Sequence, residues 1–281
     1  MSPPVGSFRS LRHYVGPIQG IILDWAGTTM DFGCLAPPAA FVEAYRRHGV
    51  DITLAEARLP MGAHKRVHIQ RIGQIARVAD LWRSVHGRTQ SEDDVDAIFA
   101  TFVPIQLEIL PRFADLVPGA LEAVAAMRAR GWKIGSTTGY TLAMNRLLRD
   151  EAAARGYVPD EMVCADEVPE GRPAPWMCIE NARRLGIYPM GAWIKVGDTL
   201  PDVLEGLDAG MWTIGLAVTG NEVGLSKADW DALDPATQEL RRARAYERLY
   251  GVGAHFVVDG IWDVMPALEA IDVRLRHGER P

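Results

Sequence analysis

The most informative stretch of this 281-residue chain, residues 18–29, contains one candidate catalytic carboxylate, Asp24. This residue follows a short apolar run and precedes a turn that contains Gly27 and Thr28. Open α/β sheets bind their ligands beyond the carboxyl ends of the strands. A carboxylate there can attack a phosphorus atom whose oxygens are held by backbone N–H groups. An isolated Asp after a strand can also simply cap the next helix, so Asp24 alone leaves both interpretations open.

Two later segments repeat this pattern of an apolar run followed by polar residues. One ends in the hydroxyl pair Thr137 and Thr138, which the pattern does not distinguish, and the other ends in Asp198, with Asp202 four residues later. Phosphoryl transfer requires a nucleophile, a cation and donors for the remaining oxygens. The two acidic residues could also be a helix cap and a first-turn charge. Together, the three segments favour a phosphoryl-transfer site.

The segments lie in a chain whose pattern predicts an α/β fold with a parallel sheet. Strand-like and helical runs alternate from residue 118 onward, which is typical of βα units. Strands are predicted near 132–137, 162–166, 192–196, 212–217 and 255–258, and helices near 118–130, 141–156, 175–185, 201–209 and 226–249.

Helical periodicity replaces the strand pattern between Asp24 and residue 111. Capping boxes at Thr53-x-x-Glu56 and Ser91-x-x-Asp94 predict two helix starts there.

Two prolines, Pro104 and Pro111, should end that helical segment. The sequence therefore predicts an α/β catalytic core formed by residues 1–33 and 112–281, with a helical domain of residues 34–111 inserted after the first strand.

Composition indicates a small-molecule enzyme in a reducing compartment. The chain is 48% hydrophobic with a net charge of −6, which argues against a nucleic-acid binder. Its three cysteines, Cys34, Cys164 and Cys178, have spacings unlike those of zinc or disulfide frameworks. No apolar run reaches the length of a membrane span, and residues 1–17 lack the apolar centre of a signal peptide. We therefore expect a cytoplasmic protein.

Five ordered motifs resemble the phosphonoacetaldehyde hydrolase (phosphonatase) family of the haloacid dehalogenase superfamily. The motifs are DWAGTT at 24–29, MGAHK at 61–65, GSTTGYT at 135–141, GRPAPWM at 171–177 and KVGDT at 195–199. The likeness extends from about residue 19 to about residue 270. It implies a Rossmann-like parallel-sheet core with a small α-helical cap inserted after the first strand. It also implies a Mg²⁺ cofactor and a homodimer.

The resemblance assigns Asp24 as the nucleophile that attacks phosphorus. Asp24, the carbonyl oxygen of Ala26 and Asp198 would hold Mg²⁺, which prefers hard oxygen ligands. Asp202 would lie one shell further out and orient a metal-bound water.

The phosphoryl oxygens would be held by the turn after the nucleophile and by two side chains. The backbone N–H groups near Trp25 and Gly27, together with Thr28, belong to this turn. Thr138 would add a hydroxyl, and Arg172 would add a permanent charge where most superfamily members have lysine.

Under this resemblance, two positions imply that the leaving group departs as carbon, although Ala26 alone could also mark an inactive copy. Superfamily phosphatases generally have an acid two residues after the nucleophile to protonate a leaving oxygen, and this chain has Ala26 there. Lys65 would condense with the aldehyde of phosphonoacetaldehyde, and the resulting imine would accept the electrons of the C–P bond. Lys65 needs a lowered pKa for this reaction, and Arg66 and Arg172 are the neighbours expected to lower it.

The remaining predicted site residues lie near Lys65 in sequence or in the motifs. His68, three residues after Lys65, could transfer protons. Cys34, Met61 and Tyr140 are expected to line the pocket. The i, i+4 pair of His64 and His68 also has a zinc-like spacing, but no third ligand is apparent.

Three functions remain open at this point. The favoured one is hydrolysis of the C–P bond of phosphonoacetaldehyde in 2-aminoethylphosphonate degradation. The second is a phosphatase or phosphomutase that acts on a small phosphorylated metabolite, and the third is a non-catalytic phosphometabolite-binding protein.

Overall fold

A computed structural model describes residues 14–281, and a six-stranded sheet organises them. The strands are β1 (Gly20–Leu23), β2 (Lys133–Thr138), β3 (Glu161–Cys164), β4 (Trp193–Gly197), β5 (Trp212–Leu216) and β6 (Phe256–Val258). Their order is β3-β2-β1-β4-β5-β6, and every neighbouring pair is parallel. The predicted α/β fold with a parallel sheet is confirmed. The first 13 residues of the predicted core segment lie outside the described residues.

The first five of the six helices between β1 and β2 form an insert. They are α1 (Ala36–Arg47), α2 (Leu54–Arg58), α3 (Lys65–Gly73), α4 (Ala76–His86) and α5 (Glu92–Ile109), and we call residues 36–109 the helical insert. Both predicted capping boxes form, at the starts of α2 and α5. Pro104 was expected to help end this segment, but α5 continues through it to Ile109. Helix α5 buries Phe102 and Ile105 on either side of the proline, and this packing outweighs one lost backbone hydrogen bond.

Seven helices follow the insert, and the first of them precedes β2. They are α6 (Ala120–Ala129), α7 (Leu142–Ala154), α8 (Trp176–Leu185), α9 (Leu200–Asp208), α10 (Lys227–Asp231), α11 (Pro235–Gly251) and α12 (Val264–Arg276). The single helix predicted near 226–249 is two helices, because Asp234 caps a new start and Pro235 occupies its first position. Helix α12 was not predicted.

One hydrophobic cluster joins the insert to the sheet. It contains Ile21 and Leu23 of β1 together with Phe41 of α1 and Phe102 of α5, whose rings stack at a centroid distance of 4.3 Å. Trp25 is fully buried and packs edge-on against the ring of Tyr157. No described helix has the length and apolar character needed to cross a membrane.

Candidate active site

The sheet topology brings the predicted acidic residues to one edge. After β1 the chain continues to β2 on one side of that strand, while β4 lies on its other side. Such a switch point forms the ligand crevice of open α/β sheets. Asp24 directly follows β1 and its backbone N–H donates to Val196 of β4 (3.0 Å), and Asp198 directly follows β4. Ligand atoms of Asp24, Asp198 and Asp202 all lie within 4.8 Å of one another.

The turn after Asp24 leaves specific backbone groups free. The Gly27 N–H, predicted to face the phosphoryl group, instead donates to the carbonyl of Met30 (2.7 Å). Within residues 14–281, no hydrogen bond uses the N–H groups of Trp25 and Ala26 or the carbonyl oxygen of Ala26. Gly27 has φ +84°, and a Cβ there would lie 2.5 Å from an oxygen of Asp198. Glycine is therefore required for conformation and space, and the free donors are those of the two preceding residues.

Asp198 is fully buried and held by two donors. The Thr28 hydroxyl lies 3.4 Å from its Oδ1, and the backbone N–H of Asn221 donates to its Oδ2 at 2.8 Å. Thr28 therefore contacts this carboxylate, although it was predicted to bind the phosphoryl group.

Arg172 is buried among three carboxylates. Its Nη2 donates to Asp24 Oδ1 (2.6 Å), its Nη1 lies 2.9 Å from Asp202 Oδ1, and its Nε donates to Glu205 Oε2 (3.0 Å). Burial opposes its charge, but these carboxylates outweigh burial and raise the pKa of Arg172 further. Because the guanidinium is planar, it can hold three partners in fixed directions.

A second buried cation, Lys195, shares carboxylate partners with Arg172 and was not predicted as a site residue. Its Nζ contacts Asp202 Oδ1 (2.8 Å), Glu205 Oε2 (3.2 Å) and the hydroxyl of Thr137 (2.7 Å). Thr137 therefore faces this charged network, whereas Thr138 faces the cavity described below. The sequence does contain a signal for this role, because Lys195 lies within an otherwise apolar strand and the next helix, α9, carries the acidic i, i+3 pair Asp202 and Glu205.

The buried negative charge of this network favours binding of a divalent cation. Burial raises the pKa of Asp24, although Arg172 opposes the shift. Burial and the neighbouring charge of Asp24 raise the pKa of Asp198 well above its usual value. Within the ion-pair network, Asp24, Asp202 and Glu205 contact Arg172 or Lys195, whereas Asp198 forms an ion pair with no cation in residues 14–281. These oxygens and the free Ala26 carbonyl could bind a metal ion, and a bound cation would favour their ionised forms.

Lys65 enters the site from the helical insert, as the first residue of α3. Its side chain is only 4% exposed, and its Nζ lies 4.6 Å from the ring centroid of Tyr140 and 5.9 Å from that of Phe41. Burial lowers the pKa of Lys65 to about 8, Cys34 opposes this shift, and Arg172 adds to it. The lowered pKa agrees with the sequence expectation for Lys65.

Arg66 does not contribute as expected. Its guanidinium pairs with Asp96 (2.6 Å) and Glu92 (2.9 Å) on the exposed side of the insert. His64 bonds to Asp166 (3.0 Å).

His68 is fully buried near Lys65 but does not line the cavity. Its ring stacks on Phe41 at 4.0 Å, and its Nε2 lies 2.7 Å from the carbonyl oxygen of Ala57. Because a carbonyl only accepts, Nε2 carries the proton and Nδ1 is the basic atom. No described residue bonds to Nδ1. Burial, reinforced by the Lys65 charge, lowers the pKa of His68 well below its usual value.

A small cavity of about 20 Å³ lies between the insert and the sheet. This volume holds about one water molecule. Its walls are formed by Asp24, Ala26, Cys34, Pro37, Met61, Gly62, Lys65, Thr138, Gly139, Tyr140, Arg172 and Thr199. The structure thus brings most of the predicted site residues to one cavity. Four of them, His68, Gly27, Thr28 and Asp198, lie behind its walls.

Two glycines allow the insert to approach the sheet loops closely. A Cβ on Gly62, which has φ +94°, would lie 2.5 Å from the Thr199 hydroxyl. A Cβ on Gly139 would lie 2.9 Å from the carbonyl oxygen of Ala63. Larger residues would separate Lys65 from the carboxylates beneath it.

Comparisons with known proteins agree with this geometry. Residues 18–210 match the haloacid dehalogenase-like hydrolase family. A phosphonoacetaldehyde hydrolase of Nitratidesulfovibrio vulgaris is 47% identical, covering 98% of both chains, and one of Hahella chejuensis is 47% identical, covering 98% of this chain and 94% of its own. A crystal structure of a phosphonoacetaldehyde hydrolase-like protein from Oleispira antarctica superposes with a TM-score of 0.95 at 41% identity, covering 98% of this chain and 99% of its own.

The family match covers more than half of the chain, and the relatives match it over nearly their full lengths. The chain is therefore a hydrolase of the haloacid dehalogenase superfamily, and within it belongs to the phosphonoacetaldehyde hydrolase family.

Proposed function

We propose that this enzyme hydrolyses the C–P bond of phosphonoacetaldehyde to acetaldehyde and phosphate. One juxtaposition carries the proposal: the Lys65 amine of the insert and the Asp24 carboxylate of the sheet wall the same cavity. The relatives named for this activity support it. Ala26, which stands where phosphatases place an acid, also favours a leaving group that needs no protonation at oxygen.

The first step is formation of an imine at Lys65. The neutral amine attacks the aldehyde carbon, the resulting carbinolamine takes up a proton and loses water, and a protonated imine forms. A pKa of about 8 leaves a useful fraction of the amine neutral near pH 7. The rings of Tyr140 and Phe41 lie within 6 Å of Nζ and help to exclude water.

Cleavage of the C–P bond follows. Asp24 attacks phosphorus, the C–P electron pair moves into the carbon chain, and the protonated imine becomes an enamine. The products are an aspartyl phosphate and an enamine on Lys65. The N–H groups of Trp25 and Ala26 and the Thr138 hydroxyl are the proposed donors to the phosphoryl oxygens, and Arg172 supplies charge beside Asp24.

Two hydrolytic steps complete the cycle. Water cleaves the aspartyl phosphate and releases phosphate. Protonation of the enamine carbon and hydrolysis of the imine release acetaldehyde and restore the lysine. His68 is proposed to accept a proton transiently at its unpartnered Nδ1 and to return it in these steps, and because it lies behind the cavity wall it would act through an intervening group.

We further propose that Mg²⁺ is held by Asp24, Asp198 and the carbonyl oxygen of Ala26. When bound, it would offset the negative charge of the nucleophile and of the phosphoryl group. Asp202 is proposed to remain outside this ligand set because Arg172, Lys195 and Thr199 occupy its oxygens.

Four further assignments are proposals that rest on the family resemblance or on the sequence pattern. They are participation in 2-aminoethylphosphonate degradation, a homodimer, a cytoplasmic location, and the action of residues 34–111 as a separate cap domain over a core of residues 1–33 and 112–281.

The proposal is tested by measuring acetaldehyde and phosphate release from phosphonoacetaldehyde in parallel. We expect equal amounts of both products from the wild-type enzyme, and neither from the Lys65→Arg and Asp24→Asn variants. A panel of small phosphate monoesters serves as the comparison. Turnover of these esters that survives Lys65→Arg, without cleavage of phosphonoacetaldehyde, would identify a phosphatase and overturn the proposal.

A further inference from the structure

Arg58, the last residue of α2, joins three parts of the structure. Its Nη1 donates to the carbonyl oxygens of Gly33 (2.9 Å) and Cys34 (3.1 Å), which lie between β1 and the insert. The same atom lies 3.3 Å from Oδ1 of Asn221, in the loop after β5. No carboxylate in residues 14–281 forms an ion pair with Arg58, so these neutral oxygens are the acceptors that fix its position.

Asn221 returns this contact and also reaches the proposed metal site. Its Nδ2 donates to the backbone carbonyl of Arg58 (3.4 Å), while its backbone N–H donates to Asp198 Oδ2 (2.8 Å). Gly224 in the same loop has φ +66°, and a Cβ there would lie 2.9 Å from the Arg58 guanidinium carbon. The loop of residues 221–224 therefore packs closely around the Arg58 side chain.

We propose that Arg58 is a positioning residue that couples the seating of the helical insert to the orientation of Asp198. Arg58 does not line the cavity and therefore acts through Asn221. With the insert seated, Arg58 holds Asn221 so that its N–H fixes one oxygen of Asp198. With the insert displaced, that loop loses its support, and Asp198 loses its fixed orientation.

This inference rests on the proposed function, because it assigns separate steps to the two sides of the cavity. Imine formation needs only Lys65 and the aldehyde. Cleavage of the C–P bond also needs Asp24 and Asp198 beneath the seated insert. Loss of the Arg58 contact should therefore impair cleavage and leave imine formation intact.

The test compares Arg58→Met with Arg77→Met. Arg77 is a matched control because it is an exposed arginine of the insert that pairs with Glu56 of α2. We expect Arg58→Met to lower kcat about 10- to 100-fold, as for a lost hydrogen bond to a charged group. Borohydride should still trap the imine on Lys65. Arg58→Lys, which keeps a donor, should recover part of kcat, and Arg77→Met should match the wild type.

A second readout is the affinity for Mg²⁺, measured calorimetrically without substrate. Arg58→Met should weaken Mg²⁺ binding several-fold. Asn221→Ala retains its backbone N–H but loses the amide contact with Arg58. In the double variant, the effects on kcat should therefore be less than additive. Circular dichroism and thermal unfolding establish that each variant is folded.

Three results would overturn the coupling. These are wild-type kcat in a folded Arg58→Met variant, additive effects of the two substitutions, or a reduced kcat with unchanged Mg²⁺ affinity. The last would mean that Arg58 only stabilises the insert. Failure to trap an imine in the wild-type enzyme would instead refute the proposed function, and the Mg²⁺ titration would still test the coupling.

Discussion

The lowered pKa of Lys65 gives the most direct quantitative prediction. Burial moves this pKa from its usual 10.5 to about 8. At pH 7 the neutral fraction of the amine then rises from about 0.03% to about 9%, a gain of about 300-fold. This corresponds to about 3 kcal/mol of differential interaction between the two protonation states. Burial of the lysine would therefore contribute substantially to the rate of imine formation at neutral pH.

The test is to acetylate the enzyme at trace levels with isotopically labelled acetic anhydride over a range of pH values. Mass spectrometry then measures the labelled fraction of the Lys65 peptide at each pH, corrected for reagent hydrolysis with an added amine of known pKa, and exposed Lys227 in the same digest is followed in the same way as a comparison. Only the neutral amine reacts, so labelling of Lys65 should rise with pH and reach half its maximum near pH 8. Circular dichroism at each pH checks that the protein remains folded.

A half-maximum near pH 10.5 would refute this reasoning. It would show that the amine is solvated in the free enzyme, and that the insert does not bury it as described. Limited access of the reagent to the cavity would lower the plateau of labelling without moving its midpoint. The pH midpoint of Lys65 labelling is therefore the quantity that tests the lowered pKa.

The remaining predictions concern buried charge and metal. Lys65→Met should abolish acetaldehyde release and raise the free energy of unfolding at pH 7 by about 2–3 kcal/mol in urea titrations, because the folded wild-type protein holds a buried ammonium. The unfolded chain binds more protons between pH 8 and 10.5, so wild-type stability should rise with pH across that window, and this rise should be absent from Lys65→Met. Lys195→Met should lower the free energy of unfolding by about 3–5 kcal/mol, since Glu205 and Asp202 stay buried with less compensation; an unchanged urea midpoint would contradict this. Chelation by EDTA should remove C–P hydrolysis and added Mg²⁺ should restore it, whereas full activity after chelation would exclude the proposed metal site.

The strand ends could be predicted because each lies where an apolar run meets a polar residue. Asp24 and Asp198 stand at such ends, and the parallel sheet aligns those ends at one edge. The local sequence pattern gave wrong or missing helix predictions where tertiary packing determines whether a segment is helical. Pro104 continues a helix because its neighbours are buried. Helix α12 was missed although Val264, Leu268 and Ile271 have helical spacing and are buried.

Contacts between segments distant in the chain were the least predictable. The contacts of Lys195 with Asp202 and Glu205 depend on how α9 packs against β4. The Arg58 contact with Asn221 joins residues 163 positions apart. The Gly27 N–H was misassigned because the acceptor it finds depends on the fold of the turn. These contacts could not be predicted from composition or from the spacing of residues along the chain.

The central claim is that Lys65 and Asp24 act on one bound compound. Borohydride reduction of enzyme incubated with phosphonoacetaldehyde, followed by peptide mass spectrometry, tests it most directly. The wild-type enzyme should carry an ethyl group on Lys65, because the C–P bond is cleaved before the imine is reduced. The Asp24→Asn variant should carry a phosphonoethyl group on the same lysine. An adduct on another residue, or an ethyl group on Lys65 in the Asp24→Asn variant, would contradict the account.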